Sequence, residues 1–110
     1  MPTAVVTGAT GFLGGHLVRL LCARGYQVRA LYRSEGTLAT LRGLPIEACR
    51  GDVTDVPSLD AAMQGQPDLV FHVAASTASW KPKFAEQTRI NVGGTRNVVQ
   101  VALEKQVGRF

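Results

Sequence analysis

The hydrophobic period changes once within the first 21 residues, and that change restricts the fold more than any other feature of the chain. Thr3 to Thr7 (TAVVT) is a short β-branched run without polar alternation, as expected of a parallel strand buried on both faces. Leu13, Leu17, Leu20 and Leu21 then recur at i, i+4, i+7 and i+8, the stripe of an amphipathic helix that Gly25 terminates. Between the two lies GATGFLG, with glycines at positions 8, 11 and 14.

The alternation continues. Val28 to Tyr32 (VRALY) reads as a second strand, followed by a weak helical stretch at TLATL. Ile46 to Arg50 (IEACR), entered through Pro45, alternates like a half-exposed strand near a sheet edge. In VPSLDAAMQG, with Asp55 as N-cap, Pro57 in the first turn and Gly65 past the end, a short helix is expected. Leu69 to Ala75 (LVFHVAA) is the most apolar strand, and a long helix runs from about Phe84 to Gln106, interrupted at Gly93 and Gly94. Strand and helix in alternation imply a parallel sheet with right-handed crossovers and helices on both faces, half of a doubly wound α/β fold.

At 110 residues, 45% of them apolar, the chain fits one domain with one core. No apolar run approaches the roughly 20 residues of a membrane span, and the N-terminus lacks a secretory pattern, so a cytoplasmic protein with no membrane partner is expected. The net charge of +4 comes from scattered residues, with no basic run longer than KPK at Lys81 to Lys83. Nucleic acid, which selects a clustered basic face, is therefore not the expected partner; a small phosphorylated ligand is. Cys22 and Cys49 have no metal-ligand spacing and read as buried, reduced thiols, and no metal site is expected.

Placed between a strand and a helix, the glycine turn has a definite chemistry. A helix N-terminus aims unpaired amides and the positive end of its dipole outward, which makes the turn an anion site. Gly8 supplies the φ needed to leave the strand sharply, Gly11 admits a dinucleotide pyrophosphate close to the backbone, and Gly14 lets the helix lie close to the sheet. The spacing is G-x-x-G-x-x-G and not G-x-G-x-x-G, and a turn that merely packs tightly is the alternative reading of the glycines alone.

Four blocks, TGATGFLG, GDVTD (51–55), FHVAA (71–75) and NVGGTRN (91–97), together resemble the N-terminal part of an extended short-chain dehydrogenase/reductase of the NAD-dependent epimerase/dehydratase family. LYRS and VFHVAA are most similar to its dihydroflavonol-reductase-like members. The resemblance implies a Rossmann-type sheet of about four strands in the order 3-2-1-4. VGRF at the C-terminus reads as the start of a fifth strand cut off, so residues 1–110 form only the N-terminal portion of an NAD(P)-binding domain.

The resemblance also assigns roles. It gives the pyrophosphate to the backbone around Gly8, Thr10, Gly11, Phe12 and Leu13. NAD users of this group place an acid at the end of the second strand; here Tyr32 stands there and Arg33 follows. A carboxylate repels a 2′-phosphate whereas a guanidinium binds it, so NADP(H) is expected over NAD(H), with Arg33 as its ligand or as an ordinary solvated arginine. Asp52 accepts from the adenine amino group, or else orders its own loop, with Gly51 leaving the backbone open beside it; Val53 covers the ring. Val73, Ala74 and Ala75 lie by the nicotinamide ribose, and His72 is expected to be a buried, hydrogen-bonded residue and not a general base. Asn91 supports the active site at a helix irregularity marked by Gly93 and Gly94, or these are a plain helix fault. Trp80 and STASW border the substrate cleft or form a surface loop.

The chemistry of the family needs a Ser or Thr and a Tyr-x-x-x-Lys. Neither Tyr26 nor Tyr32 has a lysine four residues on, so no catalytic residue is assigned in this chain. Two readings follow: part of a longer reductase acting on a carbonyl or hydroxyl of a small molecule (or of an epimerase/dehydratase), or a non-catalytic NADP(H)-sensing module. An apolar strand edge beside FHVAA and the long last helix predict low stability and self-association.

Overall fold

The computed structural model describes residues 2–33, 39, 41–73, 92–105 and 108. Among the described residues the chain forms four strands and three helices in the order β1 (Thr3–Thr7), α1 (Phe12–Ala23), β2 (Gln27–Tyr32), β3 (Ile46–Arg50), α2 (Val56–Ala62), β4 (Leu69–His72) and α3 (Gly94–Glu104). All three strand pairings are parallel, and the sheet order is β3-β2-β1-β4. This is the doubly wound, Rossmann-type arrangement expected from the alternation.

Successive side chains along a strand point to opposite faces, and here each face has its own core. Val5, Leu31 and Val70 pack with Leu59, Ala62 and Met63 and with Val98, Val101 and Ala102 of α3. Ala4, Val6, Val28 and Ala30 pack on the other side with Val18 and Leu21 of α1 and with Leu41. The central strand β1 is buried from Ala4 to Thr7, while β3, at the edge, is half-exposed, as its alternation predicted. Arg29 ties the layers together at the β3 side: it pairs with Glu47 at 3.3 Å and donates to the carbonyls of Ala62 and Gln64 as α2 ends.

Several turns follow the glycines. Gly8, Gly25 and Gly65 have φ of 68°, 86° and 81°, left-handed values that end β1, α1 and α2 at low steric cost.

Three local expectations need correction. The inward stripe of α1 is Gly14, Gly15, Val18 and Leu21, whereas Leu13 and Leu20 are exposed. The offset arises because Gly14 must face the Gly8 turn, and glycines leave no hydrophobic signal in the sequence. Asp55 occupies the N-cap of α2 but its side chain makes no capping bond; its carbonyl accepts from Ser58 and Leu59 instead. Cys22 and Cys49 are half-buried, not buried, and burial pushes both thiols up, which is unfavourable to nucleophilic reactivity.

The segment containing TLATL is described only at Ala39 and Leu41; 34–38 and 40 lie outside the described residues, as do 74–91 and therefore Ala74, Ala75, Trp80 and Asn91. Among the described residues no helix is long and apolar enough to cross a membrane.

Candidate functional site

The C-terminal ends of the four parallel strands converge on one side of the sheet, where a crevice forms in folds of this kind. Two features line that side: the turn between β1 and α1, and a groove beside the ends of β2 and β3.

In the turn, the Gly11 amide donates to the Gly8 carbonyl at 3.1 Å and Gly15 donates to Gly11 at 2.8 Å, which closes the first helical turn. Gly11 is the N-cap of α1, no side chain caps it, and no acidic residue stands in the first turn. The first-turn amides and the dipole are thus presented to an anion without a competing protein carboxylate. Gly14 explains the closeness of the turn: a Cβ there would lie 1.9 Å from the Gly8 carbonyl oxygen and 2.7 Å from its carbon. At Gly11 the nearest atom to such a Cβ is the Gly8 carbonyl oxygen at 3.5 Å, an ordinary van der Waals contact, so the turn itself does not forbid a side chain there. Phe12 and Leu13 turn their side chains outward, 86% and 67% exposed, which leaves only their backbone at the mouth of the helix. The Phe12 ring meets His16 edge-on at 4.7 Å. Thr10 is half-buried in the same loop.

The groove has a volume of about 400 Å³ and is lined by Arg33, Arg50, Gly51, Asp52, Asp55 and Ser58. Asp52 is held by its own loop: Oδ1 accepts from the amide and the hydroxyl of Thr54, both at 2.9 Å. Its Oδ2 lies 3.4 Å from Nε of Arg33, whose side chain is 70% exposed. The two residues singled out from the sequence for opposite ends of an adenosine moiety therefore meet in one groove. Ser58 fastens the loop to α2, accepting from the Asp52 amide at 3.1 Å and donating to the Asp55 carbonyl at 2.7 Å. The space beside Gly51 is filled, contrary to expectation, because a Cβ there would lie 2.6 Å from Ser58 and 2.9 Å from Leu31. Val53 is 4% exposed and belongs to the core; Nδ2 of Asn97 donates to its carbonyl at 3.0 Å.

The end of β4 connects the turn to α3. His72 Nδ1 lies 2.8 Å from the hydroxyl of Thr7, which is fully buried, and Nε2 lies 2.9 Å from the hydroxyl of Thr95. The Val73 amide also donates to Thr7 Oγ1, at 3.1 Å. Both ring nitrogens are thus engaged in hydrogen bonds, and burial holds the imidazole below its usual value. The hydrogen bonding agrees with the sequence reading, but the ring is half-buried and not buried. Before α3 the chain makes a π-helical turn at Val92 and Gly93. Gly94 packs closely, since a Cβ there would lie 2.6 Å from Val53 Cγ2. Gly94 therefore has a steric reason to be glycine, whereas a Cβ at Gly93, whose φ of −65° is ordinary for a helix, would meet no atom within 4 Å.

Sequence reasoning missed Arg50, Ser58, Asn97, Thr7 and Thr95. The signal for Arg50 was its place at the end of the third strand, one residue before GD; the others join elements far apart in sequence and carry no local pattern.

The profile of the NAD dependent epimerase/dehydratase family matches residues 4–110. The chain belongs to this family. The family member is 44% identical, over 94% of its length, to a protein of Synechocystis sp. provisionally named dihydroflavonol 4-reductase. It is 42% identical, over 97% of its length, to sterol demethylase protein B of Methylococcus capsulatus. It spans only 30% and 32% of those two proteins. Among solved structures, the Bordetella bronchiseptica enzyme WbmH in complex with NAD+ superimposes with a TM-score of 0.87 at 32% identity, covering all of this chain and 38% of WbmH.

Proposed function

We propose that this epimerase/dehydratase-family chain is the N-terminal, NADP(H)-binding portion of a cytoplasmic reductase that acts on a carbonyl or hydroxyl of a small molecule. The observation that carries the reading is the uncapped start of α1, pressed against the Gly8 turn so closely that position 14 admits no side chain. That cradle fits a diphosphate held by backbone amides around Gly8, Thr10, Gly11, Phe12 and Leu13. Arg33 and Asp52 in the adjoining groove fit the phosphorylated ribose and the adenine, and the backbone at Val53 and Val73, followed by Ala74 and Ala75, fits the remaining contacts along the strand ends. When bound, the coenzyme supplies hydride transfer at a carbon bearing oxygen.

For their part, the residues of this chain bind and orient. The helix mouth neutralises diphosphate charge, and Tyr32 and Arg33 in place of an acid at the end of β2 spare a 2′-phosphate the repulsion that a carboxylate at that strand end imposes. The partial span of the curated relatives supports assigning proton transfer and substrate contacts to a segment beyond Phe110. Leu103 and Val99 on α3, 74% and 37% exposed, support self-association through that helix. Calorimetric titration with NADPH and NADH tests the reading: tighter NADPH binding is expected, equal affinities refute the preference, and binding of neither refutes the function. Sedimentation of the same sample reads the association state, and a monomer at all concentrations refutes that part.

A further inference from the structure

We propose that Arg50 is the residue that lets the groove accept a phosphate on the ribose, an inference that rests on reading the groove as the adenosine end of an NADP(H) site. Arg50 ends β3 in register with Tyr32, so it stands beside the strand end from which Arg33 continues. Both arginines line the groove.

Their situations differ. Arg33 is already matched to Asp52 at 3.4 Å, and Asp52 is itself fixed by two bonds from Thr54. Arg50 has no ion-pair partner among the described residues. The groove contains two carboxylates, Asp52 and Asp55, and two guanidiniums, so its lining is neutral overall only because Arg50 is present. Asp55 is exposed, and its side chain is not used to cap α2. With Arg33 alone, an entering phosphate dianion meets two carboxylates and one cation, and like-charge contact at close range is a selective penalty. Arg50 thus supplies the uncommitted charge, and Asp55 opposes it.

The test compares adenosine 2′,5′-bisphosphate with adenosine 5′-monophosphate as calorimetric probes of the protein at low ionic strength, with Arg50→Gln, Arg33→Gln and Asp55→Asn. Because the groups are exposed and screened, Arg50→Gln is expected to lower the preference for the bisphosphate about three- to tenfold, with little change for the monophosphate. Asp55→Asn is expected to raise that preference, which gives a gain-of-binding readout that misfolding cannot mimic. If the parent prefers the bisphosphate and only Arg33→Gln removes the preference, the proposal for Arg50 is overturned while the nucleotide site stands. If the parent binds both probes equally, the phosphate preference and the Arg50 proposal fall together. Binding of neither probe, nor of NADPH, overturns the functional reading itself.

Discussion

Gly14 and Gly11 stand three residues apart in one turn, and substituting each by alanine separates the packing of the turn from its use. At Gly14 the added Cβ would lie 1.9, 2.7 and 3.0 Å from the Gly8 oxygen, the Gly8 carbon and the Ala9 Cα, all backbone atoms that no side-chain rotation moves. Relief requires α1 to back away from the turn by about 1 Å, at the upper end of the overpacking range of about 1–3 kcal/mol. Alanine inside a helix recovers about 1 kcal/mol relative to glycine. The net loss is about 2 kcal/mol, or roughly 10 °C in Tm for a domain of this size. At Gly11, in extended backbone with φ −77°, the nearest contact is 3.5 Å, so only the poorer N-cap propensity of alanine remains, about 0.5–1 kcal/mol. Gly11→Ala should therefore melt within a few degrees of the parent yet lose dinucleotide binding, because its methyl occupies the space the diphosphate needs. Gly14→Ala should lose both. Thermal scans with and without NADPH measure the two effects together. A Gly11→Ala variant that keeps full coenzyme stabilisation would refute the placement of the diphosphate, and a Gly14→Ala variant as stable as the parent would refute the packing argument.

Two further predictions concern the elements behind the site. Burial lowers the His72 pKa below its unfolded value of 6.5, so its neutral bridge contributes stability in full above that pH and loses it as pH falls through the folded value. Tm should fall more between pH 7.5 and about 5.5 in the parent than in His72→Gln, and parallel curves would contradict the assignment. Gly94→Ala brings a methyl within 2.6 Å of Val53 Cγ2, a stiff β-branched side chain; it should destabilise alone, while Gly94→Ala combined with Val53→Ala should cost about 1 kcal/mol less than the separate effects added together. Urea melts of the four proteins decide this, additivity being the adverse result.

The elements most legible in the sequence were those whose signal is local. The buried run TAVVT, the edge alternation of IEACR and the punctuating glycines at 8, 25 and 65 each carry their own conformational instruction. The face of α1 was misread by one residue because its contact with the turn is made by Gly14 and Gly15, which contribute no hydrophobicity. In the groove, Arg33 and Asp52 were visible as motif positions, but their 3.4 Å pairing was not, since it depends on how two strand ends align. Ser58 beneath Gly51 and Asn97 on the Val53 carbonyl are long-range contacts that only the folded chain defines.

The attachment of Val53 to α3 limits how coenzyme choice can be re-engineered. Its methyls are wedged against Gly94 and its carbonyl is bound by Asn97, so a designer who enlarges or polarises this position moves a whole helix as well as the nucleotide loop. The adjustable positions are the solvent-facing 33, 50 and 55, none of them in the core, of which only Arg33 is tied to a neighbour among the described residues, through its ion pair with Asp52. On the proposed reading of the groove, selectivity is thus mounted on a fixed frame, and variants that swap it should be sought at the rim and not where the loop is packed against the helix.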